Sequence, residues 1–174
     1  MRTKQAFLDA FCELYSQKPI DKISVQEITN KAGYNRSSFY LHFCDIYELR
    51  DCLENNVLVS IRRKLNEGKG SFHDMITLLE EKNFYLNALF GDYGSHHFTE
   101  RLKASIPFEA HKLSISKEDA IAPYLMEFHL TTVLSLYRLW HCRQRDIPPD
   151  ELLSLMMCLY TGGISSVIKN ENGV

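Results

Sequence analysis

Asn35-Arg36-Ser37-Ser38 sets four hydrogen-bonding side chains in a row, two residues after Gly33 and directly before Phe39. An arginine can bond guanine through two parallel N–H groups, and Asn or Ser can meet several bases or phosphate oxygens. A purely structural first helical turn has no use for all four. The pattern predicts a polar tip that faces a surface dense in donors and acceptors, of the kind the DNA major groove presents.

Such a tip must be held by apolar neighbours. Phe7, Ala10, Phe11 and Leu14 repeat at three and four residues, which predicts a first amphipathic helix ended at Lys18-Pro19. Ser24-Val25-Gln26-Glu27 has the form of a capping box and starts a second, with Val25, Ile28 and Ala32 facing inward. Gly33 stops it with positive φ. Asn35 then caps a third helix. Phe39 and Phe43, at i and i+4, point together into the core toward Phe11 and Leu14. Asp45 caps a fourth, in which Leu49, Leu53, Val57 and Ile61 recur every four residues. Arg62, Arg63 and Lys64 suit the negative end of its dipole. Two short helices joined at a glycine describe a helix-turn-helix, whose second helix enters the major groove.

The span from about Lys4 to Leu53 resembles the N-terminal domain of the TetR (tetracycline-repressor) family of bacterial transcription regulators. Ala10-Phe11-Cys12-Glu13-Leu14-Tyr15 matches the family's first-helix pattern. Ser24-Val25-Gln26-Glu27-Ile28 matches the start of the second helix, and Ala32 through Phe43, AGYNRSSFYLHF, matches the turn and third helix. The resemblance implies a phosphate contact for Ser24 and a base-facing turn at Arg36, Ser37 and Ser38, with Asn35 in place of the usual Ser cap. It implies backbone contacts for Tyr40 and His42, and core positions for Phe39 and Phe43. One departure is Ile46, where the family often carries a phosphate-binding Lys. The amides at that helix start offer a substitute, and Lys31, Arg2 and Lys4 are candidates to replace the charge.

The resemblance also implies an all-α fold: an N-terminal helix-turn-helix domain, placed at 1–67, followed by a C-terminal helical bundle at 68–174 for effector binding and dimerisation. Gly68-Lys69-Gly70 marks the boundary, and Ser71 with Asp74 suggests another capping box. Helical segments are expected at about 72–81, 83–90, 96–103, 117–145 and 149–168, with the start of the fourth delayed by Pro123 and a break at Gly162-Gly163. Leu130, Val133, Leu134 and Tyr137 on the long helix, with Leu152, Leu155, Met156 and Leu159 on the last, are the candidate homodimer interface. Phe84, Tyr85, Phe98, Tyr124 and Phe128, with Phe90 and Phe108, are candidates to line a pocket for a small apolar effector. Aromatic residues at helical spacing more often form plain core.

Composition limits the alternatives. Net charge is −2, hydrophobic residues are 45% and charged residues 24% of the chain, so a packed core is expected and a coat of Lys and Arg is not. The five cysteines form no CxxC pair, which suits reduced thiols in the cytoplasm. No secretory pattern opens the sequence, and the uncharged run from Leu152 to Ile168 holds two glycines and lies at the short limit for a membrane span, so no membrane association is expected. His96-His97, His111, His129 and His141 show no chelating spacing, and no metal or cofactor is expected. No phosphate-binding glycine loop, nucleophile elbow or HExxH occurs, which argues against an enzyme. The leading expectation is a homodimeric regulator of double-stranded operator DNA, a repressor released by a small effector. The alternative is a helical adaptor that acts mainly through a protein partner and binds DNA weakly.

Overall fold

In the computed structural model, which describes residues 2–66, 80–94, 96–105 and 118–163, every regular element is helical. The chain divides into two compact units, residues 1–122 and 123–174. The first contains α1 (Arg2–Tyr15), a 3-10 turn (Ile20–Lys22), α2 (Val25–Ala32), α3 (Arg36–Tyr40), α4 (Ile46–Asn66), α5 (Asn83–Phe90) and α6 (His96–Ser105). The second is built from α7 (Ala122–Cys142), which starts at the division, and α8 (Pro149–Gly162). The expected boundary at Gly68-Lys69-Gly70, the capping box at Ser71 and Asp74, Phe108 and His111 lie outside the described residues.

Phe7 organises the first unit. Its side chain is fully buried, and its ring lies 5.4 Å from both Tyr34 and Phe39, 6.3 Å from His42 and 6.5 Å from Phe43. The approaches to Phe39 and Phe43 are edge-on, the arrangement the ring quadrupoles favour. The ring partner of Phe39 and Phe43 on α1 is thus Phe7, one turn before the Phe11 and Leu14 expected from spacing. Phe11 is buried as well, stacked on Tyr15 at 5.1 Å. α3 is also shorter than expected, because it ends at Tyr40 and leaves Phe43 in the following turn. The i,i+4 relation survives: Phe43 N–H donates to Phe39 C=O at 3.0 Å, and both rings are buried.

α4 buries Leu49, Leu53, Val57 and Ile61, the every-fourth series read from sequence. It also buries a charge. Glu54 is 0% exposed and is met by Arg101 Nη1 at 2.5 Å, His97 Nδ1 at 3.3 Å and Arg50 Nε at 3.6 Å. Asp51, Glu54 and His97 bring one ligand atom each within 4.8 Å of one another, but two guanidinium groups already balance the carboxylate. A buried carboxylate needs such partners, since losing one costs about 3–5 kcal/mol. Arg101 also bonds Asn55, so α6 is fastened to α4 at two successive residues.

α5 is tied to α1 by Tyr85, whose hydroxyl donates to Asp9 Oδ1 at 2.8 Å and accepts from Gln5 Nε2 at 2.6 Å. Burial, reinforced by the Asp9 carboxylate, pushes the Tyr85 hydroxyl up to about 12, so it keeps the proton it donates.

In the second unit α7 has two apolar faces. Leu130, Leu134, Tyr137 and Trp140 are buried, while Tyr124, Leu125, Phe128 and Leu139 are exposed on the opposite side. At about 100° per residue these sets point roughly 180° apart. The turn after α7 takes Gln144 and Arg145 into positive φ, at 59° each. Trp140 Nε1–H donates to Ile147 C=O at 2.8 Å, and the Arg145 guanidinium lies 4.5 Å over the same indole, which together hold the turn. Pro149 occupies the first turn of α8, where its missing N–H is no loss, and Gly163 ends the helix with φ 65°. No helix among the described residues is long and apolar enough to cross a membrane.

Phe7→Ala is expected to lower unfolding stability by about 3–5 kcal/mol, the range for a buried aromatic truncated in a packed site. Urea unfolding followed by far-ultraviolet circular dichroism measures it. A loss under about 1 kcal/mol would mean the four rings close over the gap and Phe7 is no hub.

Candidate nucleic-acid interface

The polar tip is presented by two capped helices and a left-handed glycine. Ser24 Oγ accepts from Glu27 N–H at 3.2 Å, and Ser24 N–H donates to Glu27 Oε2 at 3.0 Å, which completes the box. The Ser24 hydroxyl also donates to Glu27 Oε2, and Lys18 Nζ meets Glu27 Oε1 at 2.5 Å. Lys18 first, then Ser24, hold the Glu27 carboxyl down at about 2. Gly33 has φ 73°, a value the other residue types rarely adopt, and from there Gly33 N–H donates to Asn30 C=O and Tyr34 N–H to Thr29 C=O.

Asn35 then opens α3. Its Oδ1 accepts from Ser38 N–H at 2.8 Å and from the Ser38 hydroxyl at 2.9 Å. The eight residues expected to face DNA therefore fall into two sets. Arg36, Ser37, Tyr40 and His42 are exposed, and the side-chain polar groups of Arg36, Ser37 and Tyr40 have no hydrogen-bond partner among the described residues. Ser24, Lys31, Asn35 and Ser38 are engaged within the protein: Ser24 with Glu27, Asn35 with Ser38, and Lys31 with Glu13 Oε2 at 2.5 Å. The Asn35 amide nitrogen remains a donor, because only its oxygen is used in the cap.

The start of α4 differs from the expectation for Ile46. Glu48 N–H donates to Asp45 Oδ1 at 2.8 Å, and Cys44 N–H to Glu48 Oε2 at 2.6 Å. Two amides proposed as a substitute phosphate site are thus occupied by carboxylates, whose charge also opposes a phosphate. Of the cations considered as replacements, Lys4 lies 5.3 Å over the Phe43 ring and Arg2 is exposed at the start of α1. Sequence reasoning passed over Leu41, 82% exposed between Tyr40 and His42, and over exposed Tyr34, Tyr47 and Lys22. The position of Leu41 inside the quoted motif was the available signal.

The profile of bacterial regulatory proteins of the tetR family matches residues 7–51, the segment from Phe7 to the first turns of α4. Over this segment the chain is similar to the N-terminal helix-turn-helix domain of that family. An uncharacterized HTH-type transcriptional regulator, YvdT of Bacillus subtilis (strain 168), is 33% identical over 79 residues. That match covers 44% of this chain and 39% of the relative. The profile match, with the all-helical elements of the described residues, supports a helix-turn-helix at the N-terminal end.

The remaining tetR-type expectations concern the other helices. Of the pocket candidates, Phe98 is fully buried with its ring 5.3 Å from buried Phe90, Tyr85 ties α5 to α1, and Phe84 is 44% exposed. Tyr124 and Phe128 belong to the second unit, where both are exposed. Of the candidate interface residues, Leu130, Leu134, Tyr137, Leu152 and Met156 are buried within the single chain, and Val133, Leu155 and Leu159 are half-buried.

Glu27 offers a test of the cap. Its folded value of about 2 is below the ordinary one, so its stabilisation is present above the ordinary carboxylate range and is lost as pH falls toward about 2. Carboxyl-carbon NMR through an acid titration is expected to find Glu27 protonating well below the ordinary carboxylate range, and Lys18→Met is expected to raise its midpoint. An ordinary midpoint in the wild type would refute the Lys18–Glu27–Ser24 arrangement.

Proposed function

We propose that the chain is a DNA-binding transcriptional regulator that reads an operator as a homodimer and acts as a repressor released by a small effector. Residues 1–67 would read DNA, and 68–174 would dimerise and respond to the effector. The exposed Arg36–Ser37 tip carries this reading, raised on the Gly33 turn and anchored from behind by Phe39 on Phe7. Arg36 is the base reader, with Ser37 beside it. Tyr40 and His42, at the far end of α3, suit phosphate oxygens. Asn35 and Ser38 position Arg36 through the cap, and Ser24 does the same for α2. Lys31 must exchange Glu13 for a phosphate before it contributes.

One five-residue recognition helix reads few base pairs, so a second copy must supply another about 34–36 Å away along the duplex, or at a multiple of that spacing. Tyr124, Leu125, Phe128 and Leu139 support α7 as the joining helix, since they form one exposed stripe. Leu130, Leu134, Tyr137 and Met156 back that surface as its buried support. An effector can then act only through a difference in affinity for two spacings of the DNA-reading domains.

Two measurements test the reading. Arg36→Ala is expected to lose about 1–3 kcal/mol on operator DNA and little on a random duplex, while Tyr40→Phe weakens both alike. Equal losses for Arg36→Ala on both duplexes would remove it as a base reader, and no salt-dependent binding to either duplex would favour an adaptor that works through a protein partner. Leu139→Asp places a charge on the exposed stripe without entering the buried face. Sedimentation at micromolar concentration is expected to find a folded monomer with much weakened operator binding. A dimer that still binds two half-sites would place the interface elsewhere.

A further inference from the structure

A cleft of about 290 Å³ opens between α1, α4 and the start of α5, all within the first compact unit. Its lining has a definite polarity. Leu8, Leu53 and Val57 supply an apolar wall, each almost wholly buried. Lys82 supplies an ammonium group that has no ion pair or hydrogen bond among the described residues. Asn56 and Ser60, one helical turn apart on α4, line the same space, and the Ser60 hydroxyl donates to Asn56 C=O, which leaves its lone pairs as acceptors. Tyr85 and Gln5 complete the lining but are committed to one another and to Asp9.

One cation, an apolar wall and two neutral polar groups suit a small molecule with one carboxylate and a short apolar body. The volume lies at the low end for ligand pockets, which limits the guest to roughly ten non-hydrogen atoms. We propose that this cleft is a binding site for a small organic carboxylate, with the acid group on Lys82 and the apolar body against Leu8, Leu53 and Val57. The proposal sets the effector class apart from the purely apolar one expected from the aromatic residues, and its regulatory meaning rests on the regulator reading above. Both α1, which carries Phe7, and α4, which follows the recognition helix, form walls of the cleft. Occupancy would therefore favour one α1–α4–α5 spacing over others, to the extent of its differential affinity.

The full chain titrated with sodium benzoate, and separately with neutral benzamide, tests the site by amide NMR. Benzoate is expected to shift Ser60, Lys82 and Tyr85 saturably at millimolar concentration, and benzamide to bind at least about tenfold more weakly. Lys82→Gln, at a half-buried helix start, is expected to cut benzoate affinity at least about tenfold, and Ser60→Trp to abolish binding by filling the cleft, with wild-type circular dichroism in both. Absence of saturation up to about 10 mM, or unchanged affinity in Lys82→Gln, would overturn the proposal. A protein that binds benzoate at this cleft but no DNA under any salt condition would sink the regulator reading and leave the site standing.

Discussion

The burial of the Phe7 ring beneath Phe39 and Phe43 is the constraint on which the surface proposed to face DNA depends. A helix of five residues has no stability of its own, because nucleation is unfavourable and α3 closes few internal hydrogen bonds. It exists because its apolar side is clamped to α1 and its start is fixed by Asn35. The polar tip is therefore only as rigid as the aromatic contact behind it. α1 serves several elements at once: Phe7 holds α3, Glu13 holds Lys31 of α2, and Asp9 with Gln5 holds Tyr85 of α5. A shift of α1 would reach the recognition helix and α5 together.

Local signals in the sequence were legible and long-range ones were not. Ser24 with Glu27, Gly33, and Asn35 with Ser38 act over three or four residues, so their types and spacing suffice to read them. The segment 83–90 was legible for the same reason, and Pro123 and Gly163 marked the ends of α7 and α8. The choice of Phe7 over Phe11 as the ring under Phe39 depends on how α1 crosses α3, which periodicity does not specify. Nothing in the local pattern marks Glu54 as buried, because two of its partners, Arg101 and His97, lie more than forty positions later. α7 is the clearest case. Leu130 and Leu134 repeat with the same spacing as Tyr124 and Phe128, and the repeat alone does not say which face the chain keeps for itself.

Several groups that a sequence reader would assign to solvent or DNA are engaged inside the protein. Glu48 caps the Cys44 amide, Lys4 covers the Phe43 ring, and Arg50 lies between Asp51 and Glu54. Each arrangement satisfies a local requirement of the fold at the expense of availability. The geometry that makes the short helices stable also determines which of their side chains remain free to act.

The pairing of Lys18 with Glu27 and Lys31 with Glu13 has a consequence for how such a protein would find its target. Sliding along a chromosome depends on a sequence-blind attraction that grows with the number of phosphates neutralised. Two lysines beside the reading head are already neutralised at home, so that attraction is reduced. On the DNA-binding reading proposed above, each of these lysines would have to leave its carboxylate before it met a phosphate, which lowers the sequence-blind part of the attraction.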